Sequence, residues 1–496
     1  MRNEELRIRN EELESMKKAK FKMTGNASEI EKSSESSCLC ASVLKKDAGA
    51  VECGFDTETQ RRRGTEFKMT EIGLIPEDWE VKRLGELFVF KNGYNTDARN
   101  YGRGIPVASV LEALSDRPLT AKQIRGKVDA SGKDQDLFSL KRGDLIFTRS
   151  SEVLEDVGRS NVYEDDACAM FGGFVIRGRP RTKHDSEFIN YLLKDSSHRN
   201  RIIAKGAGAQ HYNIGQNGLA KVLVSLPPLH EQKKIAETLS DVDELLAAMT
   251  TLIEKKRAIK QGAMQELLTG KKRLPGFGGK CRQESLETED FNAEAQRRRG
   301  SECKMTEVGL IPMDWEVKRL GEICDILDNR RIPLNDSQRK SGPYPYCGAN
   351  GVVAYIDRYI YDEDVILIAE DGGNFEDFAT KQIAYQMSGK FWVNNHAHVL
   401  VAKEGFSQSY IFFQLEHKDI TDVISGGTRA KLTRGQLEGL IIVLPPFLAE
   451  QKAIAEVLSD MDAEISELEA QKAKFESIKQ GMMQELLTGK TRLKGV

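Results

Sequence analysis

Two stretches of the chain share a pattern in which apolar residues recur at alternating spacings of four and three positions. Such an a/d repeat over about four heptads, with Glu, Lys and Gln elsewhere, is typical of a coiled coil. At about 1.5 Å per residue, about 40 helical residues form a rod of about 60 Å. The apolar positions are Ile235, Leu239, Val242, Leu246, Met249 and Ile253 in the first stretch, and Ile454, Leu458, Met461, Ile465, Leu468, Phe475, Met482 and Leu486 in the second.

Signals at the ends of both stretches support long helices. The Pro-Pro pair at 227–228 fits only before or in a first turn, and Glu231 and Glu450 complement the positive end of a helix. Gly270 and Gly489 can adopt the left-handed conformation that ends a helix, and basic residues follow both. We predict two long helices that pair with each other. The alternative is an ordinary helical hairpin inside one globular core, although such a helix usually has a wider apolar stripe.

A second repeat shows that the chain is an internal duplication. The leading block MTEIGLIPEDWEVKRLGELF (Met69–Phe88) recurs as MTEVGLIPMDWEVKRLGEIC (Met305–Cys324). Each leading block precedes a segment of short β-like runs and turn signals, and each segment ends in a long helix. The two intervening segments differ in sequence. The repeat therefore predicts an α+β protein with two dissimilar mixed α/β domains and two similar helices.

The pattern also predicts the domain boundaries. The parts are a disordered or weakly helical extension (1–68), a first domain with its leading block (69–226), a first long helix (227–274), a linker (275–304), a second domain with its leading block (305–444), and a second long helix with a tail (445–496).

Composition narrows the class of protein. At 496 residues, the chain is long enough for about three or four domains. A net charge of -3 excludes a uniformly basic nucleic-acid binder but leaves room for local basic patches. No apolar run is long enough for a membrane span, the N-terminus is too charged for a signal peptide, and the cysteines form no CxxC pair. We expect a cytoplasmic protein with no membrane contact and no structural metal.

Common catalytic motifs are absent from the sequence. It contains no GxxxxGK[ST], no HExxH, no nucleophile elbow and no Asn/Asp-Pro-Pro-aromatic motif. Asp78, Glu80 and Lys82 resemble a nuclease pattern, but alternating residues in one short stretch fit poorly to a metal site whose ligands must converge. We predict that the chain itself is not an enzyme and has no catalytic residue, and that Trp79 and Trp315 anchor the leading blocks in a core.

Polar, Gly-rich loops in both domains suit the reading of DNA. Arg pairs bidentately with guanine, Asn or Gln pairs with adenine, and Gly allows close approach to phosphate. His396 and His398 could bind a metal, but without an evident third ligand we favour hydrogen-bonding or DNA-facing roles. The predicted DNA contacts are Arg149, Lys205, Gln210, Tyr212 and Asn213 in the first domain, and Asn350, Asn394, Asn395, Arg429 and Lys431 in the second. Any one of them could be a solvated turn residue, so the prediction concerns the set.

Several motifs together resemble one known family. They are LPPLHEQKKIAETLSDVD and LPPFLAEQKAIAEVLSDMD, the ends QELLTGKKRL and QELLTGKTRL, the two leading blocks, GDLIFTRSS, and YPYCGANG, NNHAH and SGGTRAKL. From about Met69 to its C-terminus, the chain resembles the specificity subunit of type I restriction-modification systems. The segment 1–68 and the stretch near Arg297 depart from the pattern of that family.

The resemblance implies a fold, partners and cofactors. The fold is two target-recognition domains separated by two long helices that pack as an antiparallel coiled coil with pseudo-two-fold symmetry. The implied partners are double-stranded DNA, two DNA methyltransferase (modification) subunits and restriction/translocase subunits. The chain would bind no cofactor, because S-adenosylmethionine, ATP and Mg are expected on the partner subunits, which methylate adenine N6 and translocate and cleave DNA.

A mechanism follows from two unlike domains on paired helices. A pseudo-two-fold protein contacts two half-sites, and unlike domains should read unlike half-sites, so we expect an asymmetric bipartite target with an unread spacer. Inserting about four residues, roughly 6 Å of helix, into one long helix should then lengthen the spacer by one or two base pairs. The outer faces near Lys255–Lys260 and Lys472–Lys479 are candidates for subunit docking or for plain solvation. Two other functions remain open: a self-sufficient DNA enzyme, and a coiled-coil scaffold or adaptor with duplicated protein-binding domains.

Overall fold

The structure is a computed structural model that describes residues 66–208, 211–278, 303–424 and 430–493. Most of the predicted extension and of the predicted linker lies outside these residues. The chain divides into two compact units: unit 1 comprises 1–250 and 470–496, and unit 2 comprises 251–469. Because the divisions fall inside both long helices, each unit contains one part of each of them.

Unit 1 is built mainly from short strands. In chain order its elements are β1 (Phe67–Thr70), β2 (Gly73–Pro76), β3 (Glu80–Arg83), α1 (Leu84–Leu87), β4 (Phe88–Asn92), β5 (Tyr101–Ala108), α2 (Val110–Ala113), β6 (Lys127–Val128), α3 (Gly132–Phe138), β7 (Leu145–Thr148), β8 (Ser150–Ser151), β9 (Ser160–Val162), β10 (Met170–Phe171), β11 (Val175–Pro180), α4 (Ser186–Lys194), α5 (Ser196–Ile203), β12 (Tyr212–Asn213), α6 (Gln216–Ala220), β13 (Leu223–Leu226) and the long helix α7 (Leu229–Leu267), which begins in this unit.

A four-stranded antiparallel sheet, β4-β11-β7-β9, carries the main core of unit 1. A smaller sheet, β10-β5-β6, includes a parallel pair between β10 and β5. Helix α4 begins where the Asp185 carboxylate accepts the Phe188 amide, and Phe188, Ile189 and Leu192 are fully buried. These helix residues share one apolar cluster with Ile235 at the start of α7, so the first domain and the first turns of the long helix form one core.

Unit 2 repeats this plan with different strands. Its elements are β14 (Cys303–Thr306), β15 (Gly309–Pro312), β16 (Glu316–Arg319), α8 (Leu320–Ile323), β17 (Cys324–Ile326), β18 (Ser341–Gly348), β19 (Gly351–Ile356), β20 (Tyr361–Asp362), β21 (Val365–Ala369), β22 (Ala384–Met387), β23 (Lys390–Val393), β24 (Ala397–Ala402), α9 (Gln408–Glu416), α10 (Arg434–Glu438), β25 (Ile441–Leu444) and the long helix α11 (Leu448–Leu486), which begins in this unit.

Two four-stranded sheets, β17-β24-β21-β22 and β19-β18-β23-β20, form the second domain. In both units the strand that leads into the long helix pairs with a strand of the leading block: β13 with β3, and β25 with β16. The two leading blocks also form similar hairpins, β1-β2 and β14-β15. The duplication seen in the sequence is therefore present in the fold.

The long helices pair with each other inside each unit, and they run antiparallel. In unit 2, Arg257 pairs with Glu469 at 2.6 Å, and Lys260, further along α7, pairs with Asp462 at 2.7 Å, earlier in α11. In unit 1, Asp243 pairs with Lys479 at 2.5 Å. Asp243 and Lys479 occupy the repeat positions of Asp462 and Lys260, so equivalent positions of the repeat pair the helices in both units.

The predicted apolar seam is confirmed at most of its positions in α7 and at half of those in α11. The first-helix positions Ile235, Leu239, Val242, Met249 and Ile253 are buried, and so are Ile454, Leu458, Ile465 and Leu486 of the second helix. In the middle of α7, however, Leu245 is the buried residue and Leu246 is only half-buried. In α11, four predicted positions are likewise only half-buried: Met461, Leu468, Phe475 and Met482. A helix that contacts more than one neighbour buries a wider stripe than an a/d repeat implies. Within the part of the chain that the structure describes, no helix is long and apolar enough to cross a membrane.

The end of each long helix packs on the leading block of the other repeat. In unit 2, Gly270 (φ 70°), in the turn after α7, lies against Pro312 and Trp315. In unit 1, Gly489 (φ 69°) after α11 lies against Pro76 and Trp79. The predicted glycine caps are confirmed, and the tight contact also explains why a larger residue would not fit there.

Candidate nucleic-acid interface

Arg149 is the centre of the candidate site in unit 1. It lies between β7 and β8, where its amide donates to the Phe174 carbonyl (2.9 Å) and its own carbonyl accepts the Ile214 amide (2.9 Å). Its guanidinium reaches the Gly173 carbonyl at 3.4 Å and is half-buried. The backbone of Arg149 therefore holds two loops in place, the one with Phe174 and the one with Ile214. Phe174 is 69% exposed.

The neighbouring strand pair brings the other predicted residues together. Tyr212 pairs with Ser151 and Asn213 with Ser150 across β12 and β8, and the Asn213 side chain accepts the Ser150 hydroxyl. Lys205 is exposed in the turn after α5. Tyr212 is half-buried against the core of unit 1, which indicates a role in packing. Gln210 lies outside the described residues.

In unit 2, the predicted asparagines surround the ends of three strands. Asn350 is in the turn between β18 and β19, where its amide donates to the Gly372 carbonyl (3.0 Å). Asn394 is only 8% exposed, and its side-chain oxygen accepts the His396 amide (2.8 Å). Asn395 is exposed. The buried Asn394 amide therefore shapes the turn that presents Asn395, and a direct DNA contact by Asn394 stays a prediction.

Lys431 lies with Asn350 and Asn395 on a solvent-facing edge of unit 2, which we call the second rim. The first rim is the edge of unit 1 that carries Arg149, Lys205 and Asn213. The backbone of Lys431 bridges to Asp371, and its ammonium group pairs with Glu370 at 2.9 Å. The side chain is 49% exposed, and the ion pair raises the pKa of Lys431 above its ordinary value, so this lysine keeps its positive charge. Arg429 lies outside the described residues.

A buried charge network supports this rim from below. His398 lies between the Asp328 carboxylate (2.5 Å) and the Leu432 carbonyl (2.8 Å). Arg331 contacts Glu370 at 2.6 Å and Asp328 at 3.4 Å. Burial acts to raise the pKa of the Asp328 carboxyl, but the His398 hydrogen bond and nearby positive charges leave that pKa below its ordinary value. Both carboxylates therefore act as anchors for the segment that carries Lys431 and Leu432.

The contacts of this network bear on whether His398 could be a metal ligand, as its sequence pattern with His396 allowed. Ligand atoms of Asp328, Glu370 and His398 lie within 4.8 Å of one another, a spacing that could hold an ion. Both His398 nitrogens already have protein partners, and Arg331 and Lys431 already balance the carboxylates. The geometry thus favours an ion-pair network over a metal centre. The exposed His396 pairs with Asp371, which agrees with the hydrogen-bonding role that the sequence favoured.

Two other predicted roles are resolved by contacts in the structure. Asp78 pairs with Arg492 at 2.9 Å, and Glu80 pairs with Lys82 at 2.7 Å, so the nuclease-like pattern forms ion pairs. Lys260 is not on an outer face, because its side chain is 10% exposed and pairs with Glu416. The prediction that Lys260 lies on an outer docking face is therefore wrong.

The chain matches the sequence model of a family described as "Type I restriction modification DNA specificity domain" over residues 76–258 and 312–476. The chain belongs to this family. The two matched regions each contain one of the candidate rims described above, so the duplicated specificity domain and the duplicated fold coincide.

Named relatives match most of the length of the chain. A Methanocaldococcus jannaschii protein provisionally named as the type I restriction enzyme MjaX specificity subunit is 29% identical over 452 residues, covering 86% of this chain and 97% of that protein. The type I restriction enzyme MjaVIII specificity subunit of the same organism is 24% identical over 473 residues, covering 87% and 97%. The crystal structure of a type I S subunit from M. genitalium has a TM-score of 0.53 at 15% identity, covering 85% of this chain and 98% of that one. At that identity, the structural likeness shows the fold alone.

Sequence reasoning missed the supporting residues of these specificity domains. Asp328 and Arg331 come from one segment and Glu370 from another, and only the fold brings both segments to His398. Phe174 was also missed, although the adjacent glycine pair marks a tight loop: a Cβ on Gly173 would lie 1.7 Å from the Asn95 side chain. A Gly-Gly pair next to an aromatic residue was the available signal.

Replacing Arg149 with alanine should weaken DNA binding by about 1–3 kcal/mol and relax the base preference in one half-site only. The reason is that Arg149 carries a half-buried guanidinium on the first rim, and a guanidinium reads guanine bidentately. Binding would be measured on duplexes substituted at each target position. Arg99→Ala is the matched control, since its side chain is 83% exposed and pairs with the exposed Asp97. Equal losses in both variants would contradict a specific role for Arg149.

Proposed function

We propose that this chain is the sequence-specific DNA-recognition subunit of a type I restriction-modification complex, in which each specificity domain reads one half of an asymmetric, bipartite target. The observation that carries the proposal is the twofold match to a DNA specificity domain on two dissimilar domains. Unlike rims, with Arg149 and Asn213 on one and Asn350 and Lys431 on the other, support unlike half-sites, because base edges are read by side-chain identity.

We propose that the chemistry belongs to partners. Two modification subunits would supply methyl transfer from S-adenosylmethionine, and restriction subunits would supply ATP-dependent translocation and cleavage with Mg. The chain itself would bind double-stranded DNA and these subunits, bind no cofactor and catalyse no step. A base to be methylated would be flipped into the pocket of a modification subunit, since stacked bases are unreachable. A methyl-transfer assay on the isolated chain should therefore give no product.

Exchanging one domain should change one half of the target. We expect that a host carrying the chain with its partner subunits methylates a bipartite motif, and that replacing residues 324–440 with those of another family member changes only one half-site. Single-molecule sequencing of DNA modifications would measure both motifs. The control is replacement of the exposed Met313, a leading-block residue, with alanine, which should leave the motif unchanged. A contiguous motif, or a swap that changes both halves, would refute the bipartite proposal, and the absence of any dependence on this chain would favour a scaffold role.

A further inference from the structure

The hairpin formed by β18 and β19 in unit 2 presents an apolar face to solvent. Val352 is 43% exposed, Val353 62% and Tyr355 59%. On the opposite face of the same hairpin, Tyr346 and Ile356 are buried. Large apolar side chains that are exposed side by side usually mark a contact surface, so this face is suited to a partner.

A β-bulge places the two valines on this face. Across the hairpin, Cys347 pairs with Val352 and Tyr346 pairs with Ala354, so Val353 is an extra residue in β19. In a regular strand, consecutive side chains point to opposite faces, and a bulge changes the direction of one of them. The irregularity therefore creates an apolar pair where a regular strand would have one valine.

The tip of the hairpin is held firmly. The Tyr385 hydroxyl donates to the Gly348 carbonyl (2.6 Å), and the Asn350 amide donates to the Gly372 carbonyl (3.0 Å). Gly351, with φ at 127°, completes the turn in a conformation that favours glycine. A fixed tip lowers the entropic cost of inserting the hairpin into a partner.

Charges near the hairpin fit a polyanion. Lys340 and Lys390 are exposed, and the Arg358 side chain is 51% exposed. Asp357 lies 3.8 Å from Arg358 and offsets part of this charge. Lys340 and Arg358 flank the base of the hairpin, where Ser341 pairs with Ile356, and Lys431 lies on the rim beside its tip. Cations at both ends of the hairpin would contact phosphates while the two valines face the bases.

We propose that the β18–β19 hairpin enters the major groove of the half-site read by unit 2, and that Val352 and Val353 contact the 5-methyl groups of thymines there. This inference rests on the proposed function. Because β18 also pairs with β23, the hairpin is the edge of a four-stranded sheet, and it would present β19 and the turn to the groove. The major groove is about 12 Å wide, and the thymine methyl is the apolar feature of its floor. The hairpin is continuous with the rim that holds Asn350, which places apolar and polar reading groups side by side.

Replacing thymine with deoxyuridine in the target duplex tests the contact, because it removes the methyl group and keeps the base pair. The probe is the duplex defined by modification mapping, bound by the chain in complex with its modification subunits. Each methyl group removed from the unit 2 half-site should weaken binding about four-fold, equivalent to about 0.8 kcal/mol. A Val352→Ala/Val353→Ala variant should bind thymine and deoxyuridine duplexes equally. Val308→Ala, at a 42% exposed valine in the same unit, should keep the wild-type preference.

The outcomes distinguish a failure of the hairpin inference from a failure of the proposed function. Sequence-specific binding that ignores deoxyuridine overturns the hairpin inference and leaves the proposed function standing. A double-alanine variant that keeps the thymine preference also overturns the inference. So does a double-alanine variant that keeps this preference but no longer binds the modification subunits, and that result would identify the apolar face as a protein contact. No sequence-specific binding by the wild-type complex would overturn both.

Discussion

Replacing Arg273 with alanine should lower the free energy of unfolding of unit 2 by about 3–5 kcal/mol. Arg273 follows the end of α7, its side chain is 5% exposed, and it contacts Glu450 at 2.5 Å and Asp314 at 2.8 Å. Glu450 is fully buried near the start of α11. Removing the guanidinium would leave that carboxylate charged, buried and without its main partner, which is the most costly way to break an ion pair.

The measurement is denaturant unfolding of the full chain, with hydrogen exchange followed separately in peptides of the two units. Arg257→Ala is the matched control, because Arg257 and Glu469 form a pair in the same unit with side chains 63% and 43% exposed. That change should cost about 0.2–1 kcal/mol. Equal effects of the two substitutions would show that the Arg273 contact does not stabilise unit 2 as we expect. Loss of protection in unit 1 alone would contradict the assignment of the contact to unit 2.

Lengthening both long helices by seven residues should abolish methylation at the original target and create a target with a spacer longer by about three base pairs. Seven residues add about 10 Å of helix, and base pairs rise about 3.4 Å each. A whole heptad keeps the apolar seam in phase. This design replaces the four-residue insertion into one helix suggested by the sequence alone, which would rotate the seam. Because α7 and α11 are paired by ion pairs such as Lys260–Asp462 and Asp243–Lys479, both helices need the same insertion.

Sequencing of DNA modifications in a host that carries the variant would measure the new spacer. The control is an insertion of seven residues into the predicted linker, 275–304, which should leave the target unchanged because the linker is not part of either long helix. An unchanged spacer in the lengthened variant would refute the proposal that the helices set the separation of the half-sites. A changed half-site with an unchanged spacer would point instead to a disturbed specificity domain.

From the sequence we could predict which loops carry candidate DNA contacts, but not which side chains in those loops are exposed, and DNA contact by the set stays a prediction. Arg149, Asn213, Asn350 and Lys431 were chosen because polar residues in Gly-rich loops suit base reading, and the structure places each on a rim. The same pattern could not tell that Asn394 is buried against His396 or that Tyr212 packs on the core. Burial depends on contacts between distant segments, which local composition does not reveal.

The amino-acid sequence by itself determined the duplication, the two long helices and their ends. Apolar spacing, the Pro-Pro starts and the glycines at 270 and 489 act over a few neighbouring residues, so they can be read locally. Only the tertiary structure decided which leading block receives each helix end. Arg492 reaches Asp78 and Glu231, and Arg273 reaches Asp314 and Glu450. The two leading blocks are nearly identical in sequence, so the choice between them depends on the antiparallel packing of the helices.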